Sequence, residues 1–310
     1  MTFNEGARLD SGRVKSGGGG GGRGGKLALG GGAGGLIVLV LALLFGGGDA
    51  ESILGQLSGA SDTSNQSGGS EGLENCKTGL DANTNVDCLV VGTVQSLDDV
   101  WASQLGSQTG VAYVRPEVQL FSGSTNTGCG NATSAVGPFY CPADATAYFD
   151  TSFFQVLVDR FGSSGGQLAQ EYVVAHEVGH HIQNQLGDIG RAQQDPQGAE
   201  SGAVRVELQA DCYAGIWASQ AAVIPDPNTG LPFLAPLTQT DIDDALSAAS
   251  SVGDDRIQQA SSGRVNPEGW THGSSEQRQS WFATGYRTGQ VSACDTFSAR
   301  DLNNPPALTR

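Results

Sequence analysis

Leu168-Ala-Gln-Glu-Tyr-Val-Val-Ala-His-Glu-Val-Gly-His-His-Ile-Gln-Asn-Gln-Leu-Gly187 repeats its apolar and small residues at helical steps. Leu168, Tyr172, Val173 (or Ala175), His176, Gly179, His180 and Gln183 recur at spacings of three and four, which predicts a helix that stops at Leu186-Gly187. On such a helix His176 and His180 lie one turn apart on the same face, so two imidazole nitrogens can meet one metal ion. Glu177 is turned away by about 100° and can reach a water at that ion without binding the ion itself. Gly179 leaves room for a second backbone to come close.

A hydrolytic zinc site needs a third protein ligand, and no histidine follows at the short spacing of the H-E-x-x-H-x-x-G-x-x-H pattern. The next periodic stretch, from about Gly202 to Gln220, carries Glu207-Leu-Gln-Ala-Asp211. Glu207 and Asp211 are four residues apart and share a face. Their neighbours Val206, Ala210 and Tyr213 predict burial, and buried carboxylates are costly unless a cation neutralises them. This matches the Glu-x-x-x-Asp arrangement of the glutamate-ligand zincins, with Glu207 as third ligand and Asp211 holding the outer nitrogen of a ligand histidine. Glu200, flanked by glycines, is the alternative third ligand. An ordinary acidic surface pair is the plainer reading of the two carboxylates. His181 diverges by about 100° from His180 and is not assigned to the metal. His272 is the only histidine outside the helix. It opens a predicted helical segment, which makes it a candidate catalytic residue.

Outward from these helices the composition changes sharply. Residues 1–26 are Gly-rich and basic, without hydrophobic periodicity, and read as a disordered leader. Residues 27–48 carry no charge and centre on Leu36-Ile-Val-Leu-Val-Leu-Ala-Leu-Leu-Phe45. As a helix they would span about 33 Å, the thickness of a bilayer core. They are expected to form a single transmembrane helix, with a cleaved signal peptide as the alternative. Basic residues lie only on the N-terminal flank, so that end is expected in the cytoplasm and the remainder outside it. Residues 49–75 read as a flexible Ser/Gly linker, and the folded domain is expected over 76–310.

The leader holds 5 of the 16 basic and 2 of the 32 acidic residues, leaving 11 against 30 beyond it. Such an acidic chain has no basic face for phosphates, so nucleic acid is not an expected partner. The six cysteines all follow residue 75. In an exported domain an even count reads as disulfides. Cys76–Cys88 and Cys129–Cys141 would close local loops and leave Cys212 with Cys294, although spacing alone leaves other connectivities open. Strands are expected at Ala112–Arg115, Val118–Phe121 and Ala145–Asp150, and a helix from Ser96 to about Leu105. Strands first and helices later predict an α+β fold, mainly helical with a small sheet.

The chain resembles the bacterial neutral zinc metallopeptidase family of single-span membrane proteins. The resemblance runs through Gly137-Pro-Phe-Tyr-Cys-Pro-Ala-Asp144, Tyr148-Phe-Asp-Thr-Ser-Phe-Phe154, Ala175-His-Glu-Val-Gly-His-His-Ile-Gln-Asn184, Glu207-Leu-Gln-Ala-Asp-Cys-Tyr-Ala-Gly215 and Thr271-His-Gly-Ser-Ser-Glu-Gln-Arg278. It covers roughly Cys76 to the C-terminus and the anchor layout; the Gly-rich leader departs from the more charged leaders of the family. The resemblance implies a zincin-like domain binding one zinc ion through His176, His180 and Glu207, with Glu177 as catalytic base. The last segment is also similar to the T-H-P-x-x-x-x-R signature of membrane-associated zinc peptidases, with Gly273 in place of Pro. By that likeness His272 or Arg278 steadies an oxyanion or orients Asp211.

The implied activity is that of a zinc metalloendopeptidase acting on protein or peptide substrates outside the cytoplasm, anchored in the lipid bilayer through residues 27–48. Ala145–Asp150 is the candidate edge on which a peptide would lie as an added strand. The alternative is a non-catalytic envelope-binding module with a structural zinc site; Glu177, a base for which a structural site has no use, speaks against it. A disulfide-bonded domain without metal is the third reading.

Overall fold

In a computed structural model, residues 2–17 and 72–308 are described. In chain order the elements are β1 (Lys15–Ser16), α1 (Gly79–Thr84), α2 (Val86–Thr109), β2 (Glu117–Leu120), the hairpin β3 (Ser124–Thr127) and β4 (Gly130–Thr133), β5 (Phe139–Cys141), β6 (Thr146–Phe149), α3 (Phe153–Asp159), α4 (Gln167–Leu186), α5 (Gly202–Ala221), α6 (Gln239–Ser251), α7 (Asp254–Ser262) and α8 (Ser275–Thr288). The fold is mixed, mainly helical with a small sheet of order β1-β2-β6-β5. β1, β2 and β6 run parallel, and β5 is antiparallel to β6.

α2 begins well before the expected start at Ser96. The Asn85 side chain accepts the backbone N–H groups of Asp87 and Cys88 at 2.8 and 3.1 Å, and Gly110 at φ 77° closes the helix. Its buried stripe runs through Val90, Val94, Leu97, Trp101 and Leu105. Ser96 lies inside this helix and accepts the Trp217 indole N–H at 3.1 Å. The expected strand at Ala112–Arg115 does not form. The Val114 carbonyl instead takes His181 Nε2 and Gln185 Nε2, each at 2.6 Å.

α4, α5 and α8 pack through glycines. A Cβ on Gly179 would lie 3.0 Å from the Ala210 carbonyl oxygen. At the α5–α8 crossing, a Cβ on Gly215 would lie 2.1 Å from the Phe282 carbonyl and one on Gly285 1.8 Å from that of Cys212. Only the missing side chains allow these backbones to approach, and that approach carries α8 up to the α4 histidines. Cys212–Cys294 ties α5 to the turn after α8, Cys129–Cys141 ties the hairpin to β5, and Cys76–Cys88 closes the start of α2.

The N-terminal leader is corrected. Residues 2–17 are not a disordered arm but part of the domain. Phe3 is 2% exposed and fills a slot where a Cβ on Gly92 would lie 2.7 Å from its ring. The Arg13 guanidinium pairs with Asp98 at 2.5 Å and donates to the Pro116 carbonyl at 2.8 Å. β1 pairs with β2 in the register Lys15↔Gln119. The turn Leu73–Asn75 also belongs to the domain, with Leu73 buried.

The expected single-pass cell-membrane protein, with a cytoplasmic N-terminus and an extracytoplasmic catalytic domain, is corrected as well. The transmembrane helix placed at 27–48 lies outside the described residues. Among the described residues no helix is long and apolar enough to cross a membrane. A single crossing would also put its two flanks on opposite faces of a bilayer, whereas β1 and β2 share one sheet. No described helix supplies the contact with a lipid bilayer that residues 27–48 were expected to make.

Candidate metal centre

α4 places His176 and His180 against Glu207 of α5, one turn before Asp211, and Glu177 lines the same cleft. The ligating atoms of His176, His180 and Glu207 lie within 4.8 Å of one another. His176 Nε2 is 3.2 Å from Glu207 Oε2, and His180 Nε2 is 3.6 Å from Oε1 of the same carboxylate. The outer ring nitrogens are taken: His176 Nδ1 meets Asp211 Oδ1 at 2.8 Å, and His180 Nδ1 meets Gln183 Oε1 at 2.8 Å.

These residues fit a zinc ion. With both outer nitrogens protonated, the inner nitrogens of neutral rings have only lone pairs to offer a buried carboxylate, and a divalent cation satisfies all three. Burial pulls the His176 imidazolium down, but Asp211 and Glu207 outweigh it and push its pKa up to about 9. Glu207 moves the opposite way: burial opposes its charge, yet His272, His180 and His176 hold it well below the usual carboxylate range. Glu177 is raised, mainly by burial. Its Oε2 has no hydrogen-bond partner among the described residues.

Arg278, in the first turn of α8, lines the cleft and is bonded to Asp211. Its Nε and Nη2 grip Asp211 at 2.8 and 2.9 Å, and Nη2 reaches the Tyr172 hydroxyl at 3.1 Å. Tyr172 itself donates to Asp211. Burial disfavours the guanidinium's charge, but Asp211 more than compensates and holds its pKa above the usual value.

His272 lines the same cleft as His176, Glu177, His180 and Glu207. Asp254 Oδ2 accepts the backbone N–H groups of Thr271, His272 and Gly273 at 2.7, 2.7 and 3.0 Å, which fixes the loop. Burial lowers the His272 imidazolium, but Glu207 and Asp254 raise it overall. Gly273 has φ 89°, a value closed to proline. The segment therefore departs from the T-H-P pattern in backbone as well as in residue, while His272 and Arg278 keep their places at the site.

His181 is turned to the sheet, with Nδ1 at 3.0 Å from the Tyr140 hydroxyl and Nε2 on the Val114 carbonyl. Glu200 is exposed and outside the triad. Three contributors escaped the sequence reading: Gln183, the Tyr172 hydroxyl and Asp254. Gln183 was legible as the residue three after His180; Asp254, 17 residues before Thr271, had no local signal. The cleft, open to solvent, is walled by Val136, Pro138, Phe153, Phe161, Val173 and Ile257.

A protein of Mycobacterium tuberculosis named "Uncharacterized protein Rv2575" is 61% identical over 230 residues, 74% of this chain and 77% of that protein. The Escherichia coli "Uncharacterized protein YpfJ" is 44% identical over 205 residues, 64% of this chain and 67% of its own length. No solved structure matches. The family described as "Putative neutral zinc metallopeptidase" matches residues 3–297, a span that includes the N-terminal segment packed on the domain. With that match over nearly its whole length, the chain belongs to the neutral zinc metallopeptidase family.

Proposed function

We propose that the chain is a zinc-dependent peptidase in which Glu177 is the general base and His176, His180 and Glu207 hold the ion. When bound, zinc supplies Lewis acidity, polarising a scissile carbonyl and making water a better acid near neutral pH. The observation that carries the reading is Glu177: a buried carboxylate beside the triad, with one oxygen unpartnered among the described residues and its proton affinity raised by burial. A raised carboxyl pKa suits a group that takes a proton from water and returns it to the leaving amine. A structural zinc site has no use for such a group.

Asp211 holds the His176 tautomer, and Arg278 with Tyr172 holds Asp211. Arg278 thus serves as a positioning residue. His272, its imidazolium favoured by Glu207 and Asp254 and its ring in the cleft, is the group suited to meet negative charge developing on the carbonyl oxygen.

The peptide edge is reassigned. β6 is paired on both sides, with β2 and β5, and has no edge to offer. β5 is the terminal strand, and Gly137 and Pro138 just before it line the cleft, so an added strand would lie along β5.

The test is cleavage of a peptide mixture by zinc-loaded protein, wild type against Glu177→Gln, followed by mass spectrometry. Glu177→Gln should retain zinc and lose about 10²–10⁴-fold in rate. Equal cleavage by the two proteins, or none by the wild type, would overturn the assignment.

A further inference from the structure

Gln183 lies three residues after His180 on α4, 0% exposed, and its amide is fully engaged. Nε2 donates to the Val206 carbonyl at 2.6 Å and to Gln209 Oε1 at 2.9 Å, while Oε1 sits 2.8 Å from His180 Nδ1. Rotating the amide by half a turn would set Oε1 against the Val206 carbonyl, which has no proton to give. The amide therefore has one satisfied orientation, with oxygen facing His180. An oxygen only accepts, so His180 Nδ1 must carry the proton. In the neutral ring Nε2 then keeps its lone pair. Nε2 is the nitrogen that faces Glu207.

We propose that Gln183 is a positioning residue for metal binding, holding His180 as the Nδ1–H tautomer with Nε2 presented to the ion. The proposal rests on reading His176, His180 and Glu207 as a zinc site. Gln183 also joins two ligands. Val206 immediately precedes Glu207, so the bond to the Val206 carbonyl fixes α4 against α5 at the level of the third ligand. The two histidines are held by different chemistry: a charged carboxylate backs His176, and a neutral amide backs His180.

The experiment uses ¹⁵N-histidine-labelled full-length protein, metal-free, at a pH where the His180 ring is neutral. Imidazole nitrogen shifts report which nitrogen carries the proton, and zinc affinity is measured separately by chelator competition. Wild type should show Nδ1–H at His180. Gln183→Met, which removes the acceptor, should give a mixture of tautomers and zinc binding weaker by about 10–100-fold. Gln183→Glu keeps an acceptor for Nδ1–H and should keep the wild-type tautomer. Wild-type tautomer and affinity in Gln183→Met would overturn the proposal. Should Gln183→Met not fold, Gln183→Glu decides alone: a switched His180 tautomer there overturns it. A wild type that binds no zinc while keeping Nδ1–H would sink the metal-site reading and Gln183's role toward the ion, leaving only its hold on the His180 tautomer.

Discussion

Asp211 Oδ1 lies 2.8 Å from His176 Nδ1, the ring nitrogen away from Glu207, and the same carboxylate is gripped twice by Arg278. One buried anion on α5 thus connects a candidate ligand on α4 to a cation on α8. Asp211→Asn should leave the Arg278 guanidinium buried without its countercharge, at a cost of about 3–5 kcal/mol. Zinc affinity should fall by about 10-fold or more as His176 loses its charged acceptor. Urea unfolding and chelator competition measure the two effects separately.

Glu207→Ala removes the carboxylate that faces both inner nitrogens. Stoichiometric zinc should be lost on purification, whereas Glu177→Gln should keep it. Elemental analysis of the two variants side by side distinguishes ligand from base. Full zinc in Glu207→Ala would move the third ligand elsewhere.

Glu171 is wholly buried on α4, accepts the Thr2 hydroxyl, and has its other oxygen unpartnered among the described residues. Burial raises its carboxyl from 4.5 to about 8. Below pH 4.5 the group is protonated in folded and unfolded chains alike. Between there and pH 8 the unfolded chain ionises while the folded one keeps its proton, so the contribution to stability declines as pH rises and is lost above about 8. Glu171→Gln should therefore match wild type near pH 4 and be more stable at pH 8, by an amount on the order of a few kcal/mol. Unfolding of both proteins across that range checks the sign; a difference independent of pH would contradict it.

Phe3 occupies a slot that Gly79 and Gly92 leave open. Phe3→Ala should cost about 3–5 kcal/mol, as for other buried aromatic truncations. A leader with no place in the fold would leave the melting temperature unchanged. Thermal unfolding of the variant is a direct measure of whether residues 2–17 belong to the domain.

Some of this was legible in the chain because it depends only on short-range spacing. His176, Glu177 and His180 on one helix, and Glu207 with Asp211 on the next, follow from 3.6-residue periodicity. The mainly helical fold with a small sheet follows from the same patterns. Low hydrophobic content hides the packing of the leader, because its buried apolar side chains Phe3, Ala7 and Val14, with the ion pairs Arg13–Asp98 and Lys15–Glu117, suffice when the domain already presents a slot and an edge strand. α2 was cut short because Asn85, its true cap, stands outside the apolar pattern that follows it.

The sequence by itself determined which residues can stand on one helix face, since that is a property of local geometry. Only the tertiary structure decided that Arg278 grips Asp211, that Gln183 bridges α4 to α5 at Gln209, and that β5 rather than β6 is the terminal strand among the described residues. Those relationships span 67 residues for Arg278 and Asp211 and 26 for Gln183 and Gln209, and are made by helices crossing where glycines let them close. Periodicity records which side of a helix faces inward; what it meets there depends on packing between distant segments.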